Sequence, residues 1–203
     1  MRDVSLSDFA IIVLAAGRSE RMGARNKLLQ PLAGKPLLAH TLETTASLAP
    51  GDLIVVTGHE RAPIETLARR YAARVLHNAS YRDGMGSSLA CGVRAVNDRV
   101  KGVFIHLGDV PFVSASTYRA LACAFTADRD GVKHVFVPMH AGRRGHPVLF
   151  RRELLPQLCD LRGDEGARRV IGLHPCLHVD VCDSNIDRDI DTEVDLAALT
   201  LRA

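Results

Sequence analysis

The chain has 203 residues, of which 47% are hydrophobic, and a formal net charge of +3 with acidic and basic residues interspersed. That length suits one α/β domain able to bury most of its apolar surface. The weak charge balance excludes the dense basic face that binding to a nucleic-acid polymer needs, and zero Trp with three Tyr and six Phe leaves few platforms for stacked bases. Small ligands are the expected partners.

No apolar run reaches the roughly 18–20 residues of a membrane span, and the first ten residues lack the basic start and small-residue cleavage pattern of a secretory signal. A cytoplasmic protein that does not meet the membrane is expected. The five cysteines are odd in number and form no CxxC pair, so reduced thiols are expected rather than a disulfide framework.

In chain order, short β-rich runs at 9–14, 53–57, 74–76 and 103–107 alternate with helical spacing at 36–46, 63–72, 87–96 and 116–127. The first, second and fourth runs are almost continuously apolar, as strands of a mostly parallel sheet covered on both faces should be. After residue 130 the rhythm changes. Runs at 134–138 and 146–150 flank Ala141-Gly142-Arg143-Arg144-Gly145, which reads as a β-hairpin insertion that could bind an acceptor. Short helices near 153–161 and 166–173, a strand at 177–182 and a closing helix from Thr192 follow. The expected fold is α/β, a single three-layer Rossmann-like domain over residues 1–203.

The first candidate site is Leu14-Ala15-Ala16-Gly17-Arg18-Ser19-Glu20-Arg21-Met22-Gly23, directly after a buried strand and shortly before Lys27. Open α/β sheets bind ligands at the carboxyl ends of their strands. Small residues at 15–17 let backbone approach a phosphate, and Arg18, Arg21 and Lys27 can neutralise a triphosphate. The spacing is neither GxxxxGK[ST] nor GxGxxG.

This stretch, with Asn26-Lys27-Leu28-Leu29, resembles the signature of the MobA-like NTP transferases, especially the branch that contains molybdenum cofactor cytidylyltransferase. Gly84-Met85-Gly86-Ser87-Ser88-Leu89, Leu107-Gly108-Asp109-Val110-Pro111, Gly145-His146-Pro147-Val148-Leu149-Phe150, Gly163-Asp164-Glu165-Gly166-Ala167-Arg168 and Asp189-Ile190-Asp191-Thr192 resemble that branch in the same order.

The resemblance implies transfer of CMP from CTP to the phosphate of a molybdopterin-type acceptor, with magnesium as cofactor and pyrophosphate as the leaving product. It implies catalytic roles for Lys27, Arg18 and Asp109. Nucleotide or acceptor contacts fall to Leu14, Ala15, Ala16, Gly17, Arg21, Lys27, Ser87, Ser88, Gly108, His146 and Arg168. Asp109 with Asp191 or Asp189 would hold the metal, which takes hard oxygen ligands. Handover to a molybdenum hydroxylase or its chaperone is implied by the resemblance alone.

Guanylyl-transferring members tend to carry Leu-Ala-Gly-Gly where this chain has Leu14-Ala15-Ala16-Gly17, so Ala16 favours CTP. GTP, a sugar-phosphate acceptor and a non-catalytic nucleotide-binding or cofactor-delivery role stay as alternatives. The family usually reads Thr-Pro-Glu-Asp where this chain has Thr192-Glu193-Val194-Asp195, and Asp191 also suits an N-cap there. Ser87 and Ser88 equally suit a helix start. Arg143, Arg144 and Arg169 can hold an acceptor phosphate or simply face solvent, and His59 is a weaker ligand-edge candidate. His174, Cys176, His178 and Cys182 alternate along an extended segment, but not at the spacing of structural zinc sites.

Overall fold

A computed structural model describes residues 4–17, 26–164, 166–190 and 195. Arg18, Arg21, Asp191 and the closing helix expected from Thr192 therefore lie outside the described residues.

The strands are β1 (Phe9–Ala15), β2 (Pro31–Leu32), β3 (Lys35–Pro36), β4 (Asp52–Thr57), β5 (Arg74–His77), β6 (Gly102–Leu107), β7 (Val135–His140), β8 (Arg143–Arg144), β9 (Val148–Arg151) and β10 (Cys176–Asp180). The helices are α1 (Leu37–Ser47), α2 (Arg61–Arg69), α3 (Met85–Arg94), α4 (Ala115–Ala127), α5 (Leu155–Cys159) and α6 (Arg168–Leu173). The main sheet runs β10-β7-β9-β6-β1-β4-β5, with β8 paired to β7. Pairings β1–β4, β1–β6, β4–β5 and β7–β10 are parallel, while β9 runs against both β6 and β7. The strands β2 and β3 form a separate small ribbon.

The alternation of side chains along β1 builds two cores. Phe9, Ile11 and Val13 face one layer with Leu37 and Leu42 of α1, Ile64 and Leu67 of α2, and Leu121 and Phe125 of α4. Ala10 and Ile12 face the other with Leu89 and Val93 of α3, Leu158 of α5 and Val170 of α6. Each large aliphatic side chain sealed in these layers contributes about 1.5–3 kcal/mol of burial, which is why the apolar runs settle as central strands. The result is the three-layer, mostly parallel α/β fold expected.

The hairpin expected after residue 130 is continuous with this sheet. Strands β7 and β9 are paired within it at Val135–Phe150 and Phe136–Leu149, and β7 and β8 form a tight tip closed by Ala141-Gly142. Helix α2 begins at Arg61, so Pro63 falls at its third position rather than at its start. Residues 153–161 divide into a 3-10 turn at Arg152–Leu154 and the short helix α5.

Because β9 is reversed, its first residues reach the same edge as the last residues of β1, β4, β6 and β7. That edge gathers the described residues of five of the six sequence blocks singled out above, and Gly163 of the sixth accepts from the Gly86 N–H.

Candidate functional site

The site rises from the ends of β1 and β6, where buried ladders stop and backbone groups open to solvent. The Gly108 N–H donates to the Leu14 carbonyl at 2.9 Å, continuing the β1–β6 ladder by one residue and fixing Asp109 beside the Ala15–Gly17 turn. Ala15 and Ala16 are buried and Gly17 is exposed. Among the described residues, nothing lies within 4 Å of a Cβ built on Gly17.

Lys27 opens a 3-10 turn, Lys27–Leu29, in which the Asn26 side chain accepts from the Leu28 N–H at 3.1 Å. Its Nζ lies 2.6 Å from Asp109 Oδ2. Both side chains are largely sheltered, with 14% and 21% of their surface exposed, so this ion pair is less screened than a surface one. One cation and one carboxylate, 82 positions apart in sequence, thus meet at the centre of the edge.

The segment after β10 crosses the same edge. Ile190 donates its N–H to the Asp109 carbonyl at 3.0 Å, and His146 donates its N–H to the Ile186 carbonyl at 2.6 Å. Gly145 permits the second contact, since a Cβ there would stand 2.3 Å from the Ile186 oxygen. Arg143 pairs with Asp187 at 3.2 Å. Asp189 is exposed next to buried Ile190.

His146 sits in the middle of this group. Burial pushes its imidazole below the usual histidine range, the carboxylates of Asp109 and Asp189 push upward, and Arg168 adds to the depression. All three side chains are therefore within electrostatic reach of His146. Its Nδ1 is buried with no hydrogen-bond partner among the described residues.

On the other side, α3 opens at Gly84-Met85-Gly86. Gly86 packs against Arg162 backbone, where a Cβ would lie 2.9 Å from three main-chain atoms, and its N–H donates to the Gly163 carbonyl at 2.8 Å. The Ser87 and Ser88 hydroxyls point inward. Asn78 Nδ2 donates to both, at 2.9 and 3.0 Å, and Ser87 Oγ donates to the carbonyls of Ser80 and Gly84. Both hydroxyls are thereby anchored to Asn78, and the turn presents its backbone at the same edge. His59 is half-buried, its ring 6.3 Å from that of Tyr81 and its N–H 3.5 Å from the Ala16 carbonyl.

Three side chains absent from the sequence-based site complete the architecture. His106, on β6, is fully buried. Its Nε2 lies 2.9 Å from the Val110 carbonyl, which can only accept, so Nε2 carries the proton and Nδ1 accepts from the Tyr118 hydroxyl at 3.0 Å. Burial, helped by the nearby His146, lowers its pKa to about 3, against the Val110 carbonyl. Asp183 is buried and accepts from the Ser114 N–H and Oγ and from Thr117 Oγ1 at 2.8–2.9 Å, and from the Asn185 N–H at 3.1 Å. Burial alone would raise its pKa, but these donors outweigh it and hold the carboxyl below the ordinary value. An ionisable residue inside the apolar run 103–107 was the available signal for His106.

Among the described residues no group of three or more His, Cys, Asp or Glu gathers around a common point. Among the described residues, Asp109 and Asp189 bring carboxylates to this edge, and Asp187 is paired with Arg143. That set fits a hard divalent cation that draws its other ligands from water and substrate phosphates, and it does not fit a closed structural site. Along β10, Cys176 and His178 alternate on one face, while His174 Nε2 turns to Gln157 at 2.8 Å.

Comparison with known proteins adds a family and neighbours. A model described as the MobA-like NTP transferase domain matches residues 11–179. The bifunctional protein GlmU of Dinoroseobacter shibae is 37% identical over 141 residues, which make up 68% of this chain and 31% of that protein. The chain thus spans about a third of the length of this curated relative. Among solved structures, the Mycobacterium tuberculosis Rv0371c homologue from Mycobacterium sp. strain JC1 superposes with a TM-score of 0.83 at 28% identity, covering 97% of this chain and 96% of that one. Rv0371c of M. tuberculosis H37Rv, in a complex with manganese, gives 0.76 at 27% identity over 96% and 99% of the two chains.

Proposed function

The chain belongs to the MobA-like NTP transferase family, and from that premise we propose that it is a nucleotidyltransferase moving CMP from CTP onto the phosphate of a molybdopterin-type acceptor, with release of pyrophosphate. The observation that carries the reading is the 2.6 Å contact of Lys27 with Asp109, which puts a phosphate-neutralising cation beside the carboxylate suited to a divalent metal.

In this reading residues 1–203 are one cytoplasmic NTP-transferase domain. Described residues contain no helix long and apolar enough to cross a membrane. Asp109, with Asp189 or Asp191, holds magnesium, and Leu14, Ala15, Ala16, Gly17 and Gly108 line the triphosphate with backbone. Bound magnesium supplies a Lewis acid that offsets phosphate charge. Arg18, Arg21 and Lys27 offset the charge that develops on the leaving pyrophosphate. The acceptor phosphate oxygen attacks the α-phosphorus in line. Since that phosphate is already ionised at neutral pH, no side chain needs to take its proton, and positioning accounts for the rate.

His146, within electrostatic reach of Asp109, Asp189 and Arg168, serves the acceptor together with Arg168, while Ser87 and Ser88 act through the turn they shape. The choice of CTP rests on Ala16, where guanylyl-transferring members of the resembling family carry glycine. The Rv0371c complex with manganese supports a divalent metal in a neighbour of this fold. A molybdenum hydroxylase or its chaperone as the downstream partner rests on the resemblance alone.

The test is pyrophosphate release by the pure protein with magnesium, each NTP in turn, and molybdopterin or sugar phosphates as acceptor. Release with CTP and molybdopterin supports the proposal. Release only with GTP or only with a sugar phosphate replaces it by the corresponding transferase, and nucleotide binding without release under any pairing replaces it by a binding or delivery role.

A further inference from the structure

The two acidic segments of the site are tied together from below by a buried polar circuit. One arm starts at Asp109. The next residue, Val110, gives its carbonyl to His106 Nε2–H, and His106 Nδ1 accepts from Tyr118 on α4. The other arm starts at the first turn of α4. The Ser114 N–H and hydroxyl and the Thr117 hydroxyl all donate to Asp183, an acid set at the N-terminus of that helix. Asp183 also receives the Asn185 N–H and so shapes the turn that leads to Ile186. The circuit closes where buried Ile190 donates its N–H to the Asp109 carbonyl at 3.0 Å.

His106, Thr117 and Tyr118 are each 1% exposed and Asp183 is 6% exposed, so these groups have exchanged water for one another. A buried network of this kind holds one geometry, because any displacement leaves a polar group unpaired in a low dielectric. His106 bonds the residue after Asp109 and Asp183 bonds the turn before Ile186, while Tyr118 and Thr117 join the two through α4.

We infer that His106, Tyr118 and Asp183 are positioning residues that fix Asp109 relative to Asp189 and thereby set the affinity of the chain for a divalent metal. The inference rests on the proposed metal role of these carboxylates, but its readout needs neither nucleotide nor acceptor.

The experiment is titration of the full chain with Mn²⁺, followed by the electron paramagnetic resonance of the free ion, with thermal melts of each protein in parallel. Tyr118→Phe deletes one hydroxyl, and Asp183→Asn keeps the shape while weakening the acceptor. Each should raise the Kd for Mn²⁺ by roughly tenfold, the scale typical of residues that orient metal ligands. In transfer assays the metal requirement should rise by a similar factor with kcat recovered at saturating metal. A variant that is folded, has a lower melting temperature and an unchanged Kd for Mn²⁺ would overturn the inference, since a purely structural network moves only the first. If both variants fail to fold, Thr117→Val, which removes a single donor to Asp183, decides by the same criterion. A wild-type chain that binds Mn²⁺ but transfers nothing refutes the proposed reaction and leaves the Kd comparison intact to decide this point. A wild-type chain with no Mn²⁺ binding overturns this inference, while pyrophosphate release decides the proposed reaction separately.

Discussion

Two polar knots support the two sides of the same edge, and they differ in kind. Beneath α3, Asn78 holds Ser87 and Ser88 through neutral amide and hydroxyl groups and fixes a backbone turn. Beneath Asp109, the knot contains an imidazole and a carboxylate, and it fixes two acidic segments against each other. The difference teaches that a ligand edge can be shaped in two ways. A neutral network suits a surface that offers N–H groups to an anion, whereas gathering carboxylates takes a network strong enough to hold like charges together.

The largest effect should come from Asp109→Ala, which removes the carboxylate at the centre and little core volume. Pyrophosphate release is expected to fall by about 10³-fold or more, with the melting temperature nearly unchanged. Normal turnover by this variant would sink the site. Next is Lys27→Ala, expected to lose about 10²-fold in transfer and to weaken CTP binding much more than CMP binding in calorimetry; equal losses for the two nucleotides would remove Lys27 from the phosphate.

On the neutral side, Asn78→Ala leaves two seryl hydroxyls without their donor and should cost about 1–3 kcal/mol in urea unfolding. Metal affinity should hold while KM for the nucleotide rises. A shift in metal affinity of the same size as for Tyr118→Phe would erase the distinction between the two knots.

The smallest and most diagnostic effect concerns pH. His106 has a folded pKa of about 3, below the roughly 6.5 of an unfolded histidine, so between these values the unfolded chain binds the extra proton. Its contribution is therefore complete above about pH 6.5 and is lost progressively as pH falls toward 3. Replacement His106→Gln should flatten the decline of stability over that window in urea melts, whereas Asn78→Ala should shift the whole curve evenly because nothing in its knot titrates. Parallel curves for both variants would contradict the assignment of His106 as a buried neutral imidazole.

Much of the site could be located from sequence because its blocks sit next to strands that announce themselves. The apolar run ending at Leu14 and the one ending at Leu107 place the Ala15–Gly17 turn and Asp109 at strand ends, and open α/β sheets put ligands there. What stayed hidden was direction. Ser87 and Ser88 read equally well as ligand contacts and as a helix start, and only Asn78, arriving from the end of β5, turns their hydroxyls inward. His106 looked like one polar residue in a strand, and Asp183 like one acid among several, because their partners lie 12 and 66 positions away.

The sequence by itself determined the alternation of strands and helices and the identity of the chemical groups at the sheet edge, since both follow from local periodicity and residue type. Tertiary structure alone decided how those groups meet. The order β10-β7-β9-β6-β1-β4-β5 brings Lys27 to Asp109 and Ile190 to the same aspartate. Gly86 and Gly145 serve that meeting, because each makes room for the backbone of a distant segment, Arg162 and Ile186. Such close approaches leave no periodic trace, for the atoms that require a missing side chain belong to another part of the chain.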